Sequence, residues 1–334
     1  MKVYSLCGVT MGFACPNIDQ SNQLDALWRT LFNIEEISVR STPAAIQFQF
    51  KPAGTFLNRP SPAQVVSQSR QLSVWKTEAG YYLQCGTSIL DLDVAHGRAV
   101  GVINRGFWSY PLEAQREFFM LSFLMLLRTS ERYGLHANGI VKDGVGCLIV
   151  GGSGHGKTTL TLGLVTAGWH YVADDAVALC DTIEGVQALT LRRGFSCTPE
   201  TAAYFPALHI AAEEAPGLAD GKKLVTVDTV YPDRFASGCT PQILLFPTIA
   251  GTRRSRLIAL DEKSALIELI HQSPGVQTNR ALVRKQIDVL TQLVHQSQSY
   301  RFLLGTDVFE DPQEVSCLLW QKRRKQLCAE LLSN

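Results

Sequence analysis

The sequence has no C-x-x-C pair, although it carries nine cysteines. Thiolate zinc centres are built from such close pairs, so a structural zinc site is not expected. The cysteines are dispersed and odd in number, and no secretory leader precedes them. Reduced thiols and a cytoplasmic location are the expectation. A membrane span is also missing. The longest apolar run, Phe118 to Leu127, has ten residues, whereas a bilayer needs about twenty. With Glu113, Arg116 and Glu117 before it and Arg128 after it, the run reads as a buried helix. Charge of one sign is missing too. Lys and Arg total 31 against 30 Asp and Glu, a net charge of +1, which gives no reason to expect a nucleic-acid or membrane partner. The one dense basic run, Lys322-Arg323-Arg324-Lys325, reads as the solvated face of a terminal helix over 312–332. With 46% hydrophobic and 18% charged residues, the chain is globular, and it is long enough for two domains.

What is present centres on Gly151-Gly152-Ser153-Gly154-His155-Gly156-Lys157-Thr158. This is the G-x-x-x-x-G-K-[ST] pattern of a phosphate-binding P-loop. Glycines let backbone N–H groups curl round an anion. A helix starting near Lys157 would point its positive end at the same anion. Lys157 would reach the β- and γ-phosphates, and the Thr158 hydroxyl would sit on Mg²⁺. The flanks agree. Gly146 to Val150 is a short apolar run suited to a buried strand, and Leu160, Leu162, Leu164 and Val165 suit a short buried helix ended by Gly168. The expected phosphate cradle is Gly151, Gly152, Ser153, Gly154, His155, Gly156, Lys157, Thr158 and Thr159.

Asp174 follows Lys157 by 17 residues and is adjacent to Asp175, between Tyr171-Val172-Ala173 and Ala176-Val177-Ala178-Leu179. Two acids interrupting an apolar run are costly unless a metal or a proton uses them. In P-loop enzymes an Asp at a strand end holds Mg²⁺.

Together these segments resemble the HPr kinase/phosphorylase-like kinases, distant relatives of phosphoenolpyruvate carboxykinases. The match runs from Leu135-His136-Ala137-Asn138-Gly139 through Asp143-Gly144, the P-loop and Gly168-Trp169-His170-Tyr171-Val172-Ala173-Asp174-Asp175. It continues more weakly through Arg192-Arg193-Gly194-Phe195, Gly221-Lys222-Lys223 and Tyr300-Arg301-Phe302. The resemblance implies that Asp174 is the base, pointing into the cleft towards an acceptor hydroxyl. It also implies that Asp175 holds Mg²⁺ with Thr158, and that His136 lies beside the acid pair and tunes it. Lys222 or Lys223 could clamp phosphates or substrate. The family's E-x-R-G element is replaced by Leu191-Arg192-Arg193-Gly194, so a second metal ligand would be Glu200, Asp181, water or nothing. The phosphorolytic segment is not recognisable, which points to a kinase only. The N-terminal third has no counterpart in the bifunctional enzyme. The architecture looks closer to relatives that modify ribosomally made peptides such as lasso peptide precursors.

The expected fold is mixed α/β. A β-rich N-terminal domain over 1–110 would recognise the acceptor or mediate assembly, including homo-oligomers. A P-loop catalytic domain of HPr kinase and phosphoenolpyruvate carboxykinase type would cover 111–334. The expected function is transfer of the γ-phosphoryl group of ATP, with Mg²⁺, to a serine of a peptide or small protein. The alternatives are a small-molecule kinase and a nucleotide-dependent regulatory module without transfer. Among elements, the pattern predicts strands over 1–10, 37–50, 72–75, 81–85 and 89–94, and a helix over 25–33. It predicts a loop over 52–62, a hairpin turn at Asp143-Gly144, a helix over 112–133, a loop over 211–221 and a buried strand over 242–247. Helices are further predicted over 264–270 and 277–296.

Overall fold

Ile46-Gln47-Phe48-Gln49-Phe50 alternates apolar and polar, and it forms a strand covered on one side. Ile46, Phe48 and Phe50 are buried while Gln47 and Gln49 are exposed. The computed structural model describes residues 2–38, 44–218, 221–274 and 280–320. It divides into two units, Met1–Gly134 with Leu218–Asp220 and Gly275–Arg284, and Leu135–Gly217 with Gly221–Pro274 and Lys285–Asn334.

In the first unit nine strands form one sheet. The predicted strand over 1–10 is two strands, Lys2–Leu6 and Val9–Ala14, because Cys7 and Gly8 both take positive φ and reverse the chain. The helix expected over 25–33 starts earlier, as Ile18–Leu31, where the Asn17 side chain accepts from the Gln20 N–H at 2.9 Å. That cap satisfies one of the orphan donors of the first turn. Leu112–Leu127 is the buried apolar helix. Its Phe119 and Phe123 meet Trp28 edge-to-face at 5.4 and 5.1 Å between ring centroids. Phe48 and Phe13 meet the same indole. The helix therefore belongs to the first unit and not, as the boundary at 110 implied, to the second. Its aromatic face has its partners on this sheet.

The second unit is built on a six-stranded sheet in the order His170–Ala173, Ala137–Lys142, Val145–Val150, Pro241–Ile249, Gln298–Leu304, Arg256–Ala259. Asp143 and Gly144, both at positive φ, close the hairpin joining its second and third strands. Val145–Val150 lies between an antiparallel and a parallel neighbour, Ala137–Lys142 and Pro241–Ile249. Both faces are covered, which explains the unbroken apolar run. The helix Lys157–Thr166 packs Leu160, Leu162, Leu164 and Val165 into the core. A smaller sheet contains Val177–Thr182, Gly185–Thr190 and Gly238–Cys239, and a two-stranded ribbon pairs Gly194–Cys197 with Lys223–Thr226. The predicted loop over 211–221 begins inside a helix, Pro206–Glu214, which buries Leu208 and Ala212. The helix placed from Gln277 is described from Arg280. Of the terminal helix, residues 312–320 are helical, and the basic run at 322–325 lies outside the described residues. Among the described residues no helix is long and apolar enough to cross a membrane.

Candidate active site

The strand Val145–Val150 ends, a glycine-rich turn follows, and the helix Lys157–Thr166 begins at Lys157. Gly156 caps the helix at φ 86°, and a Cβ there would stand 2.6 Å from Leu304 Cδ2. Only glycine fits both the angle and the space. The His155 ring folds back over Gly151, where a Cβ would stand 3.2 Å from Nδ1. A cleft of about 410 Å³ opens here. It is lined by Ser153, Gly154, Gly156, Lys157, Thr158 and Thr159 from the turn and helix. His136, Asp175, Lys222 and Cys197 also line it.

Lys157 is almost fully buried. Its ammonium donates to the Gly152 carbonyl at 3.1 Å and to His136 Nε2 at 3.0 Å. His136 Nδ1 lies 2.6 Å from the Asp175 carbonyl oxygen, which can only accept. The ring is therefore neutral, with its proton on Nδ1 and its Nε2 lone pair on Lys157. Burial, with the Lys157 charge second, holds the His136 pKa below its ordinary value. Burial likewise lowers Lys157, opposed by the charges of Asp175 and Asp174.

The two aspartates leave the chain in different environments. Asp174 is 1% exposed. Its Oδ1 accepts from Thr158 Oγ1 at 3.0 Å and from Asn138 Nδ2 at 2.9 Å, and its Oδ2 accepts from the Ser196 N–H at 3.0 Å. Burial first, and the neighbouring Asp175 second, push its pKa up to about 6, against the opposing pull of Arg192 and these hydrogen bonds. Asp175 takes φ 64° and lines the cleft, half-buried. This reverses the expected geometry: the Thr158 hydroxyl is bonded to Asp174, and the acid that faces the cleft is Asp175. The left-handed backbone at Asp175 is the physical cause, since it turns the second carboxylate away from the first.

Asn138 is a central polar group that the motif did not single out. Fully buried, it donates to Asp174 and to Thr161 Oγ1 and accepts from the Asp175 N–H at 3.0 Å. In the sequence it stands inside the Leu135–Gly139 segment that carries the resemblance, as an amide within the strand Ala137–Lys142. Ser196, Thr198 and Thr201 also line the cleft. Glu200 and Asp181 are exposed and do not line the cleft. The Lys223 ammonium is bonded to the Ala215 carbonyl at 3.1 Å.

Among the described residues no group of three or more His, Cys, Asp or Glu could hold a metal ion. Mg²⁺ carried by a nucleotide needs only one or two protein oxygens, the rest coming from phosphates and water. The Thr158 hydroxyl in the first turn of the helix and the Asp174 carboxylate bonded to it at 3.0 Å would supply those oxygens.

No family model and no curated protein matches the chain. Among solved structures, that of the Hpr(Ser) kinase/phosphatase from Coxiella burnetii is similar over 60% of this chain and 96% of its own, at 14% identity and a TM-score of 0.32.

Proposed function

We propose that the chain is an ATP-dependent kinase that transfers the γ-phosphoryl group to a hydroxyl, that of a serine of a peptide or small protein such as a ribosomally made precursor. The observation that carries this reading is the convergence in one cleft of a glycine-rich turn, Lys157 at the first position of a helix, and Asp175, with the buried Asp174 bonded to the Thr158 hydroxyl behind it. A phosphate chain would lie along the turn and the helix N-terminus, where backbone N–H groups and Lys157 neutralise it. When bound, Mg²⁺ would be held by Thr158 and Asp174 and would neutralise negative charge on the phosphates. Asp175, open to the cleft, takes the proton of the acceptor hydroxyl as that oxygen bonds to phosphorus and the bond to the departing ADP oxygen breaks. His136, neutral and bonded through Nδ1 to the Asp175 carbonyl, positions both Asp175 and Lys157. The first unit would recognise the acceptor.

The test is mass spectrometry of candidate peptides after incubation with ATP and Mg²⁺. A gain of one phosphoryl group, absent with Lys157→Ala, supports the reading. Peptides left unmodified by a protein that binds Mg·ATP would count against the acceptor class. Unchanged nucleotide binding in Lys157→Ala would count against the phosphate site itself.

A further inference from the structure

The ribbon that holds Asp174 also delivers a cation. Gly194–Cys197 pairs with Lys223–Thr226, with Ser196 opposite Leu224 and Cys197 opposite Lys223. The first strand supplies the Ser196 N–H bonded to Asp174. Immediately before the second strand stands Lys222, entered through Gly221 at φ 79°. Lys222 lines the cleft with Lys157, Thr158 and Asp175, while its neighbour Lys223 is turned onto the Ala215 carbonyl. The ribbon register thus separates two adjacent lysines and assigns one of them to the cleft.

Two ammonium groups and one half-buried carboxylate then share this cleft. Like charges brought together in a partly desolvated space repel, and a bound anion relieves the repulsion. Lys157 and Lys222 line the same cleft, so their charges act on whatever anion it holds. Lys157 is fixed at the turn end, by Gly152 and His136. Together with the helix N-terminus it would hold the β- and γ-phosphates from the side of the turn. Lys222 arrives from a different segment, on the ribbon that also supports Asp174.

We propose that Lys222 contacts the terminal phosphoryl group of the nucleotide, reading the presence of the third phosphate and remaining with that group as it passes to the acceptor. This deepens the kinase reading and rests on it. Lys222 moves no proton. It neutralises the non-bridging oxygens while the bond to ADP breaks and the bond to the acceptor oxygen forms.

The test is calorimetric titration of the full chain with Mg·ADP and with the non-hydrolysable imido analogue of Mg·ATP. Wild type should prefer the triphosphate. Lys222→Met should lose on the order of ten- to a hundred-fold in triphosphate affinity, the worth of a charge-assisted hydrogen bond, with diphosphate affinity unchanged. Lys222→Arg should retain most of the preference, and Lys157→Ala should weaken both ligands. If Lys222→Met weakens both nucleotides equally, or neither, the assignment of Lys222 is overturned while the kinase reading stands. If wild type binds neither nucleotide, the kinase reading fails and the role of Lys222 falls with it.

Discussion

Asp174 and Asp175 are adjacent in sequence but are used differently because of one backbone angle and two partners from elsewhere. The φ of 64° at Asp175 sends its carboxylate to the cleft, while Asn138 and the Ser196 N–H hold Asp174 inside. On this geometry Asp175→Asn should leave nucleotide affinity largely intact and lower transfer by roughly 10²–10⁴-fold, the usual worth of a general base. Asp174→Asn should instead raise the Mg²⁺ concentration needed for nucleotide binding. The opposite pattern, measured by Mg²⁺ titration of nucleotide binding and by turnover, would exchange the two roles. The pH dependence follows from the raised Asp174 pKa of about 6. A carboxyl whose folded pKa is raised favours the metal-free fold at low pH, and that contribution is lost as pH rises through about 6. A metal must displace the same proton. Apparent Mg²⁺ affinity should therefore be level above about pH 7 and fall below pH 6, by up to about tenfold per unit. A level profile from pH 5 to 7 would contradict it. The motif made Lys157, Thr158 and the acid pair legible in the sequence. It could not say which acid faced the cleft, because that depends on Asn138 and Ser196, 36 and 22 residues away. Asn138→Ala would leave the Asp175 N–H without its acceptor and strip one donor from Asp174. A loss of about 2 kcal/mol, read as a melting shift of roughly 4–8 °C, is expected. An unchanged melting temperature would show that the network is slack.

The site also depends on how the helix Lys157–Thr166 is seated. A Cβ on Gly163 would stand 2.7 Å from Val308 Cγ2 and 3.0 Å from the Val308 carbonyl oxygen. The glycine is what allows the helix to approach the Asp307–Glu310 turn so closely. Gly163→Leu should force the helix outward, costing about 1–3 kcal/mol and displacing Lys157 and Thr158 together. Lower thermal stability with a proportionate loss of nucleotide binding is the expected outcome. Retained binding at the lower stability would separate the seating of the helix from the site. Legibility of the elements followed local chemistry. The Asp143-Gly144 hairpin turn carried its signal in two residues, and the apolar run before the glycine turn carried its own. The helix Pro206–Glu214 was missed because its Ala- and Glu-rich end lacks an apolar stripe of its own. Leu208 and Ala212, one turn apart, bury it from the other side.

Across the whole chain, the second unit's central sheet presents its glycine-rich turn at the C-terminal end of Val145–Val150, the end of the strands at which open α/β sheets bind ligands. The first unit is a separate fold with an aromatic centre. Trp28 touches Tyr4, Phe13, Phe48, Phe50, Phe119 and Phe123. Trp28→Ala should cost about 3–5 kcal/mol there. If the units melt as separate bodies, calorimetry should show one transition moving while nucleotide-induced stabilisation of the other persists. A single transition that loses its nucleotide response would show that they melt together. The domain boundary was the feature least legible in the sequence. The helix Leu112–Leu127 is apolar on nearly every side, and periodicity alone cannot tell which core it fills.

The central claim is that the glycine turn, Lys157, Thr158 and the two aspartates form one nucleotide site with divided roles. A crystal structure of the full chain with Mg²⁺ and a non-hydrolysable ATP analogue tests it most directly. The predicted result has Lys157 Nζ on the β- and γ-phosphates, the metal on Thr158 and Asp174, and the Asp175 carboxylate facing the γ-phosphorus from the open side of the cleft. A nucleotide bound elsewhere, or a metal held by Asp175 with Asp174 uninvolved, would contradict it.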